Sequence, residues 1–126
     1  MQRHQFIRTG LSAVIGAATL ALAAGAFAQA PTYPNKPVRV VIPFPPGGTL
    51  DVVGRMLAQK LADQMGQPFV IENKPGASGV IGGDTVAKAS ADGYTLLFSA
   101  STHTTAPMTL KSVPYNVTQD FAPVAL

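Results

Sequence analysis

No cysteine occurs anywhere in the 126 residues, which excludes disulfides, thiolate metal sites and cysteine nucleophiles and leaves the chain to fold on packing alone. A lipid-anchored lipoprotein is excluded for the same reason, since its leader would have to be followed by a cysteine. Histidine is nearly as scarce. Of the two, His4 lies near the amino terminus and His103 stands by itself, so the sequence offers no cluster of metal ligands. Basic runs are missing, and no basic residues interleave with aromatics, which argues against nucleic acid as a partner. After Ala28 the cations Lys36, Arg39, Arg55, Lys60, Lys74, Lys88 and Lys111 nearly balance Asp51, Asp63, Glu72, Asp84, Asp92 and Asp120, so the pI near 9.5 owes much to the first residues.

What those first residues hold is a leader. Arg3, His4 and Arg8 give a cationic start, residues 11–22 are apolar and alanine-rich, and Ala26-Phe27-Ala28 has the small-x-small form of a leader-peptidase site. Cleavage after Ala28 is expected, with residues 1–28 as a signal peptide. The competing reading is a membrane span, because residues 10–28 approach the necessary length. Their Ala/Gly content and the cleavage pattern favour export. An Arg-Arg pair is also absent, which points to the general secretory route.

Residues 29–37 are proline-rich and polar and read as an extended, loose arm. Residues 38–66 then read as strand, glycine loop and helix. The run VRVVIPF suits a strand buried on both faces of a parallel sheet. Pro45 and Pro46 end it, Gly47 and Gly48 allow a sharp turn, and Thr49 or Asp51 can cap the following helix. In that helix Val53, Leu57 and Leu61, with Ala58 and Met65 beside them, form the predicted apolar stripe, and Gly66 is the predicted stop. The unsatisfied N–H groups of the first turn and the helix dipole favour an anion above Gly47 and Gly48.

A second strand is predicted over 69–72, a glycine-containing loop over 73–79, a helix from about 78 to 91 with a face of small residues, and a third strand over 94–99. An exit loop over 100–105 is dense in Ser, Thr and His, residues 107–114 are ambiguous, and a fourth strand is predicted from 121. The pattern is the β-α-β-α-β start of an open parallel α/β sheet with right-handed crossovers. If the strand order is 2-1-3, a ligand crevice lies between the loops after the first and third strands. Those loops bring glycines and hydroxyls but no lysine or arginine, which favours a carboxylate over a polyphosphate. A sheet whose fourth strand begins at the last residues lacks its covering helix, so residues 38–126 read as an incomplete lobe and the chain as a fragment.

Four blocks carry a resemblance: 38–55 (VRVVIPFPPGGTLDVVGR), 67–83 (QPFVIENKPGASGVIGG), 87–98 (AKASADGYTLLF) and 113–126 (VPYNVTQDFAPVAL). In order and spacing, behind a leader, they resemble the periplasmic substrate-binding receptors of tripartite tricarboxylate transporters, the Bug proteins. The resemblance implies part of the first lobe of a two-lobed, type II-like periplasmic binding protein. Such a protein captures a small organic carboxylate and delivers it to a two-component membrane permease, without catalysis or cofactor, and acts as a monomer in the periplasm. It implies ligand contacts from Pro46, Gly47, Gly48, Thr49 and Asp51 in the first loop, from Ser78 in the loop beside it, and from Ser99, Ser101, Thr102 and His103 in the second binding loop. Departures from the family pattern are Val80 where asparagine is often found, Ser78 near a position often glycine, and Gly54 where alanine is commoner.

Blander readings stand beside these. Asp51 serves as a helix cap or as a ligand contact. His103 invites a nucleophile story with Ser99 and Ser101, but no acid lies near it in sequence. Residues 76–79 miss the G-x-S-x-G elbow by one position, and no Lys-Ser or Lys-Thr completes a P-loop. Two further functional readings remain open: a phosphate- or nucleotide-binding enzyme fragment using the same loop, and a truncated remnant with no activity of its own.

Overall fold

The computed structural model describes residues 32–125. The leader reading therefore lies outside the described residues, which form a unit beginning at Tyr33. Its centre is strand β1, Val38–Ile42, in which only Arg39 is not fully buried. The apolar run requires this placement, because β1 pairs in parallel on both sides. Strand β2, Phe69–Asn73, lies along one edge and β3, Thr95–Leu97, along the other, in the order β2-β1-β3. Val40 stands between Ile71 and Leu96 in register. Arg39 pairs with Glu72 of β2, which also takes Lys74 Nζ at 3.2 Å.

Helix α1, Thr49–Met65, carries the chain from β1 out to β2 and stops at Gly66, whose φ of +70° suits the left-handed cap and whose N–H bonds Ala62 O at 3.0 Å. Helix α2, Val80–Ala87, follows a single 3-10 turn at Ala77–Gly79 and leads back across β1 to β3. The two crossovers run in opposite directions along the sheet, so the same right-handed rule puts their helices on opposite faces. The contacts agree: Gly54 of α1 packs against Ile42 and Phe98, and Gly82 of α2 packs against Pro43.

Both helices approach the sheet through glycine. A Cβ at Gly54 would lie 2.6 Å from Ile42 Cδ1, and one at Gly82 would lie 2.9 Å from the Pro43 Cα. This close approach corrects the predicted stripe on α1. The buried line runs through Asp51, Gly54 and Ala58, while Val53 and Leu57 are 49% and 43% exposed and share the outer surface with Val52 and Met56. Small residues mark the contact line because they let the helix axis come near, and the bulky residues fall to its flanks.

Three further expectations change. Helix α2 ends at Ala87 rather than near 91. The hydroxyl-rich exit loop winds into a helix, α3, Thr102–Thr109. The hydroxyls of Thr104 and Thr105 donate to Ser101 O at 2.8 and 3.2 Å, and that of Thr109 to Thr105 O at 3.2 Å, so the polar stretch satisfies itself on its own carbonyls. Residues 121–125 form no strand. Phe121 instead turns inward, edge-on to His103 at 4.6 Å and to Tyr115 at 5.4 Å, joining a cluster built on Val80, Ala106 and Tyr115.

The end of the arm is fastened rather than loose. Tyr33 Oη donates to Gly93 O at 2.6 Å, Asn35 N–H donates to Tyr94 Oη at 3.0 Å, and Lys36 lies 4.2 Å above the Tyr94 ring. These contacts clasp the chain entering β1 to the turn entering β3.

Candidate functional site

All three helices start where a strand has just ended, so their first turns gather at the carboxyl edge of the sheet. The loop after β1 leads into α1, that after β2 into α2, and that after β3 into α3. Strand register holds the exits together: Phe98 N–H bonds Val41 O at 2.9 Å and Lys74 N–H bonds Ile42 O at 2.8 Å. Helix α3 lies against the Ala77–Gly79 turn, and Gly79 lies against Pro43. The segments that hold Pro46 to Asp51, Ser78, and Ser99 to Thr102 thus share one edge.

In the first loop, Gly47 has φ +81°, the conformation that asks for glycine. Gly48 does not: at φ −76° and ψ 167° its backbone is ordinary, and it occupies the cap position of α1. A Cβ there would meet only Pro45 O, at 3.6 Å. The first intrahelical bond is donated by Val52 N–H to Gly48 O at 3.0 Å. The N–H groups of Thr49, Leu50 and Asp51 precede it and have no helical acceptor. They are therefore free to take an acceptor from outside the helix.

Asp51 is neither the cap nor open to solvent. It is 3% exposed and sits within the first turn of α1. Its Oδ2 accepts from Gly47 N–H at 2.9 Å and from Arg55 Nε at 3.0 Å, and its Oδ1 accepts from Asn73 Nδ2 at 2.9 Å. Asn73 Nδ2 also donates to Phe44 O at 3.1 Å, and Asn73 Oδ1 accepts from Arg55 Nη2 at 3.1 Å. The end of β2, the exit of β1 and the start of α1 are therefore tied through one carboxylate. Arg55 first, then Gly47 N–H and Asn73, hold that carboxyl far below its usual range, against the opposing effect of burial. Sequence reasoning missed Arg55 and Asn73. The four-residue spacing of Asp51 and Arg55 was a readable signal; nothing in sequence marks Asn73 except its place at the mouth of a loop.

The second loop is built differently. Gly76, Ala77, Ser78 and Gly79 have φ of 128°, 47°, 55° and 92°, four successive residues on the left-handed side. Ala77 and Ser78 pay for this in backbone strain, and the turn is closed by backbone bonds alone, from Gly79 N–H to Gly76 O at 3.0 Å and from Val80 N–H to Ala77 O. Ser78 is exposed.

In the third loop Ser101 is the residue before α3, and its carbonyl takes the N–H of Thr104 and of Thr105, each at 3.1 Å. Ser101 and Thr102 are exposed and Ser99 is half-buried. His103 is drawn the other way. Its ring stacks on Tyr115 at 5.3 Å and meets Phe121, and burial in this apolar setting lowers its pKa.

The family model for the tripartite tricarboxylate transporter family receptor matches residues 53–126. The chain belongs to that family. Protein BugT of Bordetella pertussis is 46% identical over 123 residues, covering 94% of this chain and 37% of BugT. The solved periplasmic binding protein BugD superposes with a TM-score of 0.70 at 42% identity, over 72% of this chain and 30% of BugD. MatC of Rhodopseudomonas palustris, solved with bound malate, gives a TM-score of 0.66 at 38% identity, over 75% of this chain and 32% of MatC. The chain thus spans about a third of the length of these relatives, and its parallel α/β sheet is the fold of this receptor family.

Proposed function

We propose that the chain forms ligand-gripping structure of a periplasmic solute receptor that captures a small organic dicarboxylate and hands it to a two-component membrane permease. The observation that carries this reading is the unpaired first turn of α1 behind a glycine loop, in a chain 38% identical to a protein solved with malate. A helix N-terminus with free N–H groups and the positive end of its dipole stabilises a carboxylate without a lysine or arginine in direct contact. Gly48, Thr49, Ser78, Ser99, Ser101 and Thr102 supply backbone and hydroxyl donors in this reading, while Asp51 and His103 act through the residues they hold. In this reading the protein acts without catalysis or cofactor, as a monomeric carrier. Export follows from a leader cleaved after Ala28.

Thermal unfolding tests the ligand class. A ligand that binds only the folded state raises the melting temperature by mass action. With the protein expressed from its complete reading frame, malate or adipate is expected to raise the melting temperature, and glucose and AMP to leave it unchanged. A response to sugar or nucleotide and to no carboxylate overturns the reading. Amino-terminal sequencing of periplasmic material is expected to begin at Gln29.

A further inference from the structure

The first turn of α1 presents a conflict. The receptor reading, on which this inference rests, places a ligand carboxylate at the same helix end that already carries the carboxylate of Asp51. Two anions sharing one helix terminus compete for its donors and repel each other, and at separations of a few ångströms the repulsion weakens binding by about tenfold or more. Asp51 is nevertheless required by the loop, since it holds Gly47 N–H and meets Asn73. The structure resolves the conflict through Arg55. Its guanidinium bridges Asp51 Oδ2 at 3.0 Å and Asn73 Oδ1 at 3.1 Å, and its side chain stays 53% exposed beside a carboxylate that is 4% exposed.

We propose that Arg55 is a charge-compensating positioning residue of the carboxylate site: it keeps Asp51 in the brace beneath Gly47 and cancels the negative charge that the brace would otherwise present to the ligand. Arg55 Nε and Nη2 are both committed to this network, so the residue acts through Asp51.

Titration calorimetry with malate on the protein from its complete reading frame, in low and high salt, tests the assignment through three variants. Arg55→Gln leaves the Asp51 charge bare and is expected to weaken binding about tenfold in low salt, with most of the loss disappearing near 1 M salt, where screening shortens to about 3 Å. Arg55→Lys keeps the charge but not the planar fork, and is expected to lose less than about threefold. The double variant Asp51→Asn with Arg55→Gln removes both charges and is expected to recover to within about threefold of the unaltered protein, since neither net charge nor repulsion remains. Melting temperatures measured alongside separate folding from binding: a merely structural Arg55 would make Gln and Lys equally damaging and insensitive to salt. Equal losses in those two variants overturn the proposal, and so does a double variant as weak as Arg55→Gln, which would make Arg55 a direct ligand contact. Failure of the unaltered protein to bind malate or adipate overturns the receptor reading and this inference with it.

Discussion

Two glycine loops leave the same sheet edge and are held in opposite ways. The loop after β1 needs one left-handed residue, Gly47, and braces it from outside with Asp51, Arg55 and Asn73. The loop after β2 has four left-handed residues in a row, two of them not glycine, and is closed by backbone bonds, with no side-chain brace across it among the described residues. One loop is shaped by side chains that satisfy it; the other holds strain that its surroundings must contain. The difference assigns them different work. A braced loop keeps its free N–H groups in a fixed direction, as an anion site requires, whereas a strained turn can relax when its neighbours change.

The largest effect that would break this contrast lies at Gly48. Its backbone is ordinary and its surroundings open, so Gly48→Val should cost only the modest stability of a poorer cap, about 1 kcal/mol or less, while covering the first-turn donors. Carboxylate affinity should fall by about 1.5–3 kcal/mol, the scale of hydrogen bonds to a charged group, or roughly tenfold to a hundredfold. Calorimetry with matched circular dichroism would show it, and unchanged affinity would move the anion site away from α1.

A smaller pair of changes sharpens the comparison through sign. Gly47→Ala places a side chain at φ +81° and should destabilise by about 1–2 kcal/mol, the cost of a left-handed residue. Ser78→Gly removes a side chain at φ +55°, and after allowing for the freer unfolded chain should stabilise by about 0.5–1 kcal/mol. Denaturant midpoints at constant slope decide both. Two shifts in the same direction would mean that the loops are held alike.

The finest distinction is pH. The Asp51 carboxyl titrates far below its ordinary value of 3.8 when folded, so the unfolded chain binds the proton first as acid is added. Its contribution is complete above that value and is lost as pH falls below it. After correction for intrinsic rates, hydrogen exchange at Gly47 N–H should accelerate below about pH 4. Gly79 N–H, bonded to a carbonyl, should show no such dependence. Parallel behaviour of the two amides would remove the brace as the distinguishing feature.

How far the sequence could be read follows the same division. Backbone-scale signals were legible: the β1 run, the Gly66 stop and the parallel β-α-β-α-β succession follow from apolar patterning, punctuation and crossover handedness, whereas the order β2-β1-β3 entered only as a condition, because handedness does not choose the edge a strand joins. The facing of α1 was not, because periodicity ranks residues by hydrophobicity, while close approach selects Gly54 and Ala58 for their size. The strand predicted from 121 failed because a short apolar run does not say whether it will meet a sheet edge or an aromatic cluster, and Phe121 found Tyr115 and His103. In the first loop the glycines were visible, but the brace joins residues 22 positions apart, and no local pattern reports such a contact.

The clasp of Tyr33 and Asn35 on Gly93 and Tyr94 has a practical side. It fixes the point where the polypeptide enters the fold at the amino edge of the sheet, one strand length away from the loops at the carboxyl edge. A fluorophore or surface tether attached ahead of Tyr33 therefore reports on, or immobilises, the protein from the side opposite the proposed anion site. If the proposed carboxylate site holds, that makes the amino terminus the natural place to attach a sensor's reporter.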